Sequence, residues 1–406
     1  MPDTSNTPGG IVANPCTARW SPGSRRVTIA MAINATAGMV TVVLAILAYQ
    51  ANGSVNDFYN YYHAGQLVSE GQFGAIYDYV LNLGGTSYIY RYFPAFAACM
   101  APLARLPYDI AFGIFSCASL AFAALTAMEV LRITRRLGRD ESALVLFLLL
   151  PFSLWTYLMG QNITIATYLV ALSSRCMMEA RWKKSGFFLG ISMVIKPISA
   201  FIATLVMAWL VVSRKPVALA RFFLAFALAL LPDALLFLSI DGLLASFIGS
   251  SIAGIDMRPV ALSYSAASFF YYVFDVHYLF ILVPGFVIMA WLLLARVKRV
   301  PFEQACFAIT GAGVLLHLAC MIDIWQSQLA FLVILTPMLA PARENRLNAW
   351  LVALSIATFV MSFMFDLRIG TMVVITINHW FLAILAMSWF YWYCKLPLSW
   401  LRREFR

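Results

Sequence analysis

The segment Asp57-Phe-Tyr-Asn-Tyr-Tyr-His63 sets one carboxylate and one imidazole inside a run of aromatic rings. Asp57 opens a short predicted helix with Phe58, Tyr61, Tyr62 and Gly65 on its membrane-facing side. An aspartate in that place fits a helix N-cap, accepting a backbone N–H from the first turn. Asn56 can cap instead, which leaves Asp57 for chemistry. A carboxylate held among aromatic rings at a membrane boundary tends to a raised pKa, which suits a general base toward an alcohol such as a sugar hydroxyl. Tyr61 and His63 are candidate substrate contacts on the same segment. His63 fits equally an interfacial imidazole bonded to water or backbone.

The candidate cations come next. Arg91 stands among Tyr88, Tyr90 and Tyr92, and its guanidinium fork matches phosphate oxygens, although cation–π anchoring explains it too. Lys196 precedes Pro197 between two apolar runs; a lysine there either snorkels or lines a cavity. With Arg258 these are candidates to meet a phosphate. Gln161 and Asn162, in Gly160-Gln-Asn162, read as turn and cap residues or as substrate contacts. His317 and Asp323, at the outer end of a late span, are candidate substrate contacts or structural hydrogen-bond partners. The seven cysteines have no CxxC spacing, so neither a zinc site nor a disulfide framework is suggested, and no metal cluster or nucleotide-binding glycine loop is found. No cofactor is expected.

What must position these residues is a membrane-embedded helical bundle. Of 406 residues 62% are hydrophobic and 11% charged, with mean hydropathy +0.83, which excludes a water-soluble enzyme. A spanning helix takes about 20 apolar residues, and the apolar runs predict twelve spans, near 27–48, 109–131, 142–158, 162–178, 186–195, 198–212, 217–238, 277–295, 303–321, 327–341, 347–365 and 371–393. The fold class is all-α, a polytopic bundle. Runs 186–195 and 198–212 are each short, and form a helical hairpin broken at Lys196-Pro197.

The formal charge of +10 follows the topology rather than a nucleic-acid footprint. Basic clusters recur at every second loop, and placing those loops in the cytoplasm leaves only Arg91, Arg105, Lys196, Arg258 and Arg368 of the 28 Lys and Arg outside. Both termini then face the cytoplasm of a multi-pass cell-membrane protein, a bacterial inner membrane being the expected home. The two long outer loops, 49–108 and 239–276, hold the chemistry. The first carries interfacial helices, and its run Phe93 to Leu106 is too short to span, so it lies on or dips into the outer leaflet. Residues 1–24 are expected to be a disordered cytoplasmic segment, 25–395 one transmembrane domain, and 396–406 a basic cytoplasmic tail.

The blocks Asp57 to Gly65, Glu70-Gly-Gln72, Tyr77-Asp78, Tyr90-Arg-Tyr-Phe-Pro-Ala-Phe96, Pro102-Leu103, Leu106-Pro107, Gly160-Gln-Asn162, and Gly186 through Gly190 to Lys196-Pro197 occur in one order over residues 55–215. Together they resemble the GT-C glycosyltransferases of family 87, the polyprenol-phosphate-mannose-dependent mannosyltransferases. The resemblance implies a GT-C-like fold and inverting transfer of a sugar, mannose first, from a polyprenyl-phosphate donor to a lipid or glycan acceptor on the extracytoplasmic side. Asp57 takes the place of the general base, and the implied partners are that donor, that acceptor and membrane lipids, with no nucleic acid. The alternative is a transporter or lipid-linked-sugar flippase: Arg132 to Arg139 occupies the position of the basic glycine motif of major-facilitator transporters, without its leading Gly and Asp.

Overall fold

The computed structural model describes residues 22–53, 56–256 apart from 79, 84–85, 140 and 150–151, a few positions between 283 and 290, and 301–320 and 326–339. The expected spans at 347–365 and 371–393, most of that at 277–295, and the tail 396–406 lie outside these residues.

The first helix, α1 (Pro22–Asn52), is 31 residues long. It is helical from the first described residue, Pro22, a little before the expected boundary at 25. Next, α2 (Phe58–Ser69) leads to a 3-10 turn at Phe73–Ile76, a two-stranded hairpin of β1 (Val80–Leu83) and β2 (Thr86–Ile89), and α3 (Pro94–Ala104). The long α4 (Tyr108–Arg136) is followed by α5 (Ser142–Leu149), α6 (Phe152–Met159), α7 (Ile163–Met178), α8 (Trp182–Ile195), α9 (Ile198–Val212), α10 (Pro216–Ser239) and α11 (Leu243–Asp256). After the break in the described chain come α12 (Phe302–Cys320), a 3-10 run at Gln326–Leu335 and the single turn α13 (Thr336–Leu339). The architecture is an all-α membrane bundle, with one small hairpin added.

Three described helices are long and apolar enough to cross a membrane: α1, from Arg25, α4 and α10. They present large apolar side chains outward at helical spacing. On α10 these are Leu224, Leu228, Leu231, Leu235 and Leu238, the last 84% exposed, a stripe that water would penalise and lipid accepts. Within the expected span 142–158 the described residues form α5 and α6, each of eight residues. The expected hairpin of α8 and α9 forms, with the break at Lys196-Pro197: Lys196 has extended backbone, φ −154° and ψ 128°, where the helix stops. Gly186 lets α8 and α10 touch at the backbone, since a Cβ there would fall 2.2 Å from the Phe222 carbonyl oxygen.

Between α1 and α4, α2 and α3 pack on one another and α2 also meets α4. Phe58, Tyr61, Tyr62 and Gly65 are buried in this packing, so the face expected to meet the membrane meets protein instead. The reason is ring complementarity: Tyr61 lies edge-on to Phe96 at 5.3 Å and Phe58 sits against Phe112 and Phe115 at 5.7 and 5.0 Å. Such pairs add about 0.5–1.5 kcal/mol beyond area burial. The 11-residue α3 reaches about 16 Å and is too short to span.

One end of the bundle is fixed by charge. Glu129 of α4 accepts from Arg132 and from Arg175 of α7; Arg175 also reaches Glu179 at 2.9 Å, and Arg136 reaches Glu303 of α12 at 2.7 Å. The aromatic elements between α1 and α4 gather at the other end, around Tyr108. The 29 residues of α4 separate the two ends by roughly 43 Å.

Candidate active site

Asp57 sits at the N-cap position of α2 with helical φ and ψ, and its side chain makes no capping bond. Asn56 supplies the cap: its Oδ1 accepts from the Phe58 N–H at 3.1 Å and from the Tyr108 hydroxyl at 2.9 Å, while its Nδ2 donates to the Leu158 carbonyl at 2.9 Å. The half-buried Asp57 carboxylate is thereby turned toward the turn between α6 and α7, where Gln161 Nε2 donates to Asp57 Oδ2.

That turn requires its glycine. Gly160 has φ +61°, and a Cβ on it would lie 2.6 Å from the Phe58 Cβ and 2.8 Å from the Phe112 ring. Only glycine combines the left-handed backbone with so close an approach. The two residues that follow face two different elements. Gln161 goes to Asp57, whereas Asn162, fully buried, donates from Nδ2 to the Ile195 carbonyl at 3.0 Å. This satisfies a carbonyl at the end of α8 that has no partner within the helix, and it fixes the next residue, Lys196.

Lys196 is 9% exposed. Its Nζ donates to the Tyr92 hydroxyl at 3.1 Å and lies 5.0 Å from the centre of the same ring. The Tyr92 hydroxyl is 3.0 Å from that of Tyr61, and the Tyr61 hydroxyl donates to Gln161 Oε1 at 3.1 Å. Burial first, and then the neighbouring Tyr92, push the Tyr61 phenol well above its ordinary range, so Tyr61 keeps its proton. Asp57, Gln161, Tyr61, Tyr92 and Lys196 thus form one connected set built from four separate stretches of sequence.

The strap that presents Arg91 and Tyr92 is held by side chains from elsewhere. Tyr77 donates to the Tyr92 carbonyl at 2.7 Å, Ser250 of α11 to the Tyr90 carbonyl at 2.8 Å, and Tyr90 to the Phe93 carbonyl at 3.1 Å. Phe93 cannot cap α3 through its side chain, and Asp233 of α10 does so instead, its Oδ1 accepting from the Ala95 N–H at 2.7 Å. Arg91 lies half-buried on this strap, next to Tyr92.

The remaining candidates lie apart from this set. His63 stacks on Tyr59 at 6.2 Å with its Nδ1 3.3 Å from Gln66 Oε1, on a different side of α2 from Asp57 and Tyr61. His317 is buried in α12 between the rings of Phe201 and Phe331. Arg258 and Asp323 lie outside the described residues. Tyr92 and Asp233 were not foreseen as contributors. For Asp233 there was a signal, a carboxylate directly after Pro232 within an otherwise apolar span.

Chemically, the set offers a carboxylate held by an amide at one end and a cation with N–H donors at the other, which is the equipment for taking a proton from a hydroxyl and receiving an anionic leaving group. No curated protein matches the chain. The sequence pattern defining glycosyltransferase family 87 matches residues 90–322, more than half of it, taking in Arg91, Tyr92, Gln161, Asn162 and Lys196. Transfer of a sugar is therefore the chemistry in question, and the chain belongs to glycosyltransferase family 87.

Proposed function

We propose that this membrane glycosyltransferase takes its sugar, mannose first, from a polyprenyl-phosphate donor and passes it with inversion to a lipid or glycan acceptor, on the extracytoplasmic side of a multi-pass cell-membrane protein. The observation that carries the reading is the joining of Asp57 to Lys196 through Gln161, Tyr61 and Tyr92, at the end of the bundle away from the ion pairs that join α4, α7 and α12. A lipid-borne donor keeps its phosphate at headgroup level, and a lysine and an arginine there need no nucleotide pocket beside them.

In this reading the acceptor hydroxyl oxygen attacks the anomeric carbon as the bond from that carbon to the phosphate oxygen breaks. Asp57 takes the hydroxyl proton, and the electron pair of the broken bond leaves on the phosphate, where Lys196 and Arg91 meet the charge. Arg258 is proposed for the same role, and Asn162, His63, His317 and Asp323 for contacts with sugar or acceptor. The division of basic residues between loops supports cytoplasmic termini.

The test is Asp57→Asn. Asparagine still offers Gln161 an oxygen and still suits a helix start, but cannot accept the proton. Transfer from polyprenyl-phosphate mannose should fall by at least about a hundredfold with the thermal midpoint unchanged. A near wild-type rate would refute the assignment of the base.

A further inference from the structure

The ends of the site's hydrogen-bond chain fix the direction of every link in it. An ammonium can only donate, and an ionised carboxylate can only accept. Lys196 Nζ therefore gives a proton to the Tyr92 oxygen, and Gln161 turns its Nε2 to Asp57. With Gln161 Oε1 left as the acceptor for Tyr61, the Tyr61 proton is committed to that bond. Only one orientation then remains for the 3.0 Å contact between the phenols: Tyr92 donates and Tyr61 accepts. All four bonds point from the cation to the carboxylate, and each polarises the next.

We infer that Tyr92 is a positioning residue for the transfer reaction: its hydroxyl joins Lys196 to the Tyr61–Gln161 arm, so that the orientation of Asp57 depends on the cation that meets the leaving group. This rests on the proposed reading of the site.

The chain transmits orientation and charge rather than protons. Gln161 accepts on oxygen and donates on nitrogen, so a proton could pass through it only by converting the amide to its imidic acid form. Lys196 has three N–H bonds, and one directed at Tyr92 leaves two for a phosphate. The donor phosphate and Asp57 can therefore share the cation, and the base stays oriented while the phosphate is bound. The phenol of Tyr92 serves this place better than another donor would, because the same ring also lies beneath the ammonium.

The test separates hydroxyl from ring. Tyr92→Phe keeps the cation–π contact and the packing against Tyr61 and Phe96 but deletes the hydroxyl, and Tyr61→Phe breaks the adjacent link. Each single variant should lower kcat by roughly threefold to tenfold, with KM for polyprenyl-phosphate mannose within about twofold of wild type. Because either change cuts the same chain, the double variant should be no slower than the slower single one. A Tyr92→Phe enzyme with wild-type kcat, or single effects that multiply in the double variant, would overturn the inference.

A wild-type protein inactive with lipid-phosphate sugars would instead refute the proposed function. The chain can then be read without turnover, as the infrared carboxylate stretch assigned to Asp57 by subtracting the Asp57→Asn spectrum. Tyr92→Phe and Tyr61→Phe should each move that band in the same direction, and a band unmoved by both would overturn the inference.

Discussion

At the residue scale, Lys196 shows how a costly group is kept. It is buried to 9% exposure, and among the described residues the one hydrogen bond of its ammonium is to Tyr92. A bond from a cation to a phosphate contributes about 1.5–3 kcal/mol. Lys196→Ala should therefore reduce kcat/KM for a lipid-phosphate donor by on the order of tenfold to a hundredfold, and Lys196→Arg should recover part of the loss. Equal kinetics for all three proteins would remove Lys196 from the leaving-group site. Asp57, Gln161, Asn162 and Lys196 could be picked out as candidates because polar side chains are few where apolar runs meet loops. Tyr92 was not, since it stands among Tyr88, Tyr90 and Phe93, and spacing alone does not say which hydroxyl turns toward a lysine more than a hundred residues away.

At the scale of elements, the site depends on two joints. Gly160 lets the α6–α7 turn approach α2 and aim Gln161, and Asp233 caps α3 from α10. Gly160→Ala adds a methyl where φ is +61° and the Phe58 Cβ is 2.6 Å away; left-handed backbone alone costs about 1–2 kcal/mol. Its thermal midpoint should drop, and its activity should fall further than that of an equally destabilised variant remote from the turn, because Gln161 moves with it. Asp233→Ala leaves the Ala95 N–H without its acceptor, a loss of about 1–3 kcal/mol, whereas Asp233→Asn keeps an oxygen in place and should be much milder. Denaturation of the two variants in detergent checks the ordering. Helix type and approximate position could be read from the long apolar runs for α1, α4, α7 and α10. The hairpin was missed although its signal was present, a Gly84-Gly85 pair between Val80–Leu83 and Thr86–Ile89.

For the whole molecule, α4 runs from Tyr108, beside Asn56 at the candidate site, to Arg136, in the ion pairs with Glu179 and Glu303. At roughly 43 Å it matches a bilayer with its headgroups, about 40–45 Å. The proposed orientation puts Arg136 in the cytoplasm and the site outside. Reporter fusions at positions 136 and 75 should thus report opposite sides, and the same side for both would contradict it. Placement of the site on that face has a consequence for the donor, because nucleotide sugars are cytoplasmic while a lipid-phosphate sugar travels in the membrane itself. The most direct measurement is a donor panel with purified protein in nanodiscs, using radiolabelled polyprenyl-phosphate sugars and nucleotide sugars with a membrane-lipid or glycan acceptor extract. The expected result is glycosidic product from a polyprenyl-phosphate sugar and none from nucleotide sugars. Transfer from a nucleotide sugar, or movement of lipid-linked sugar across proteoliposomes with no glycosidic product, would contradict the account.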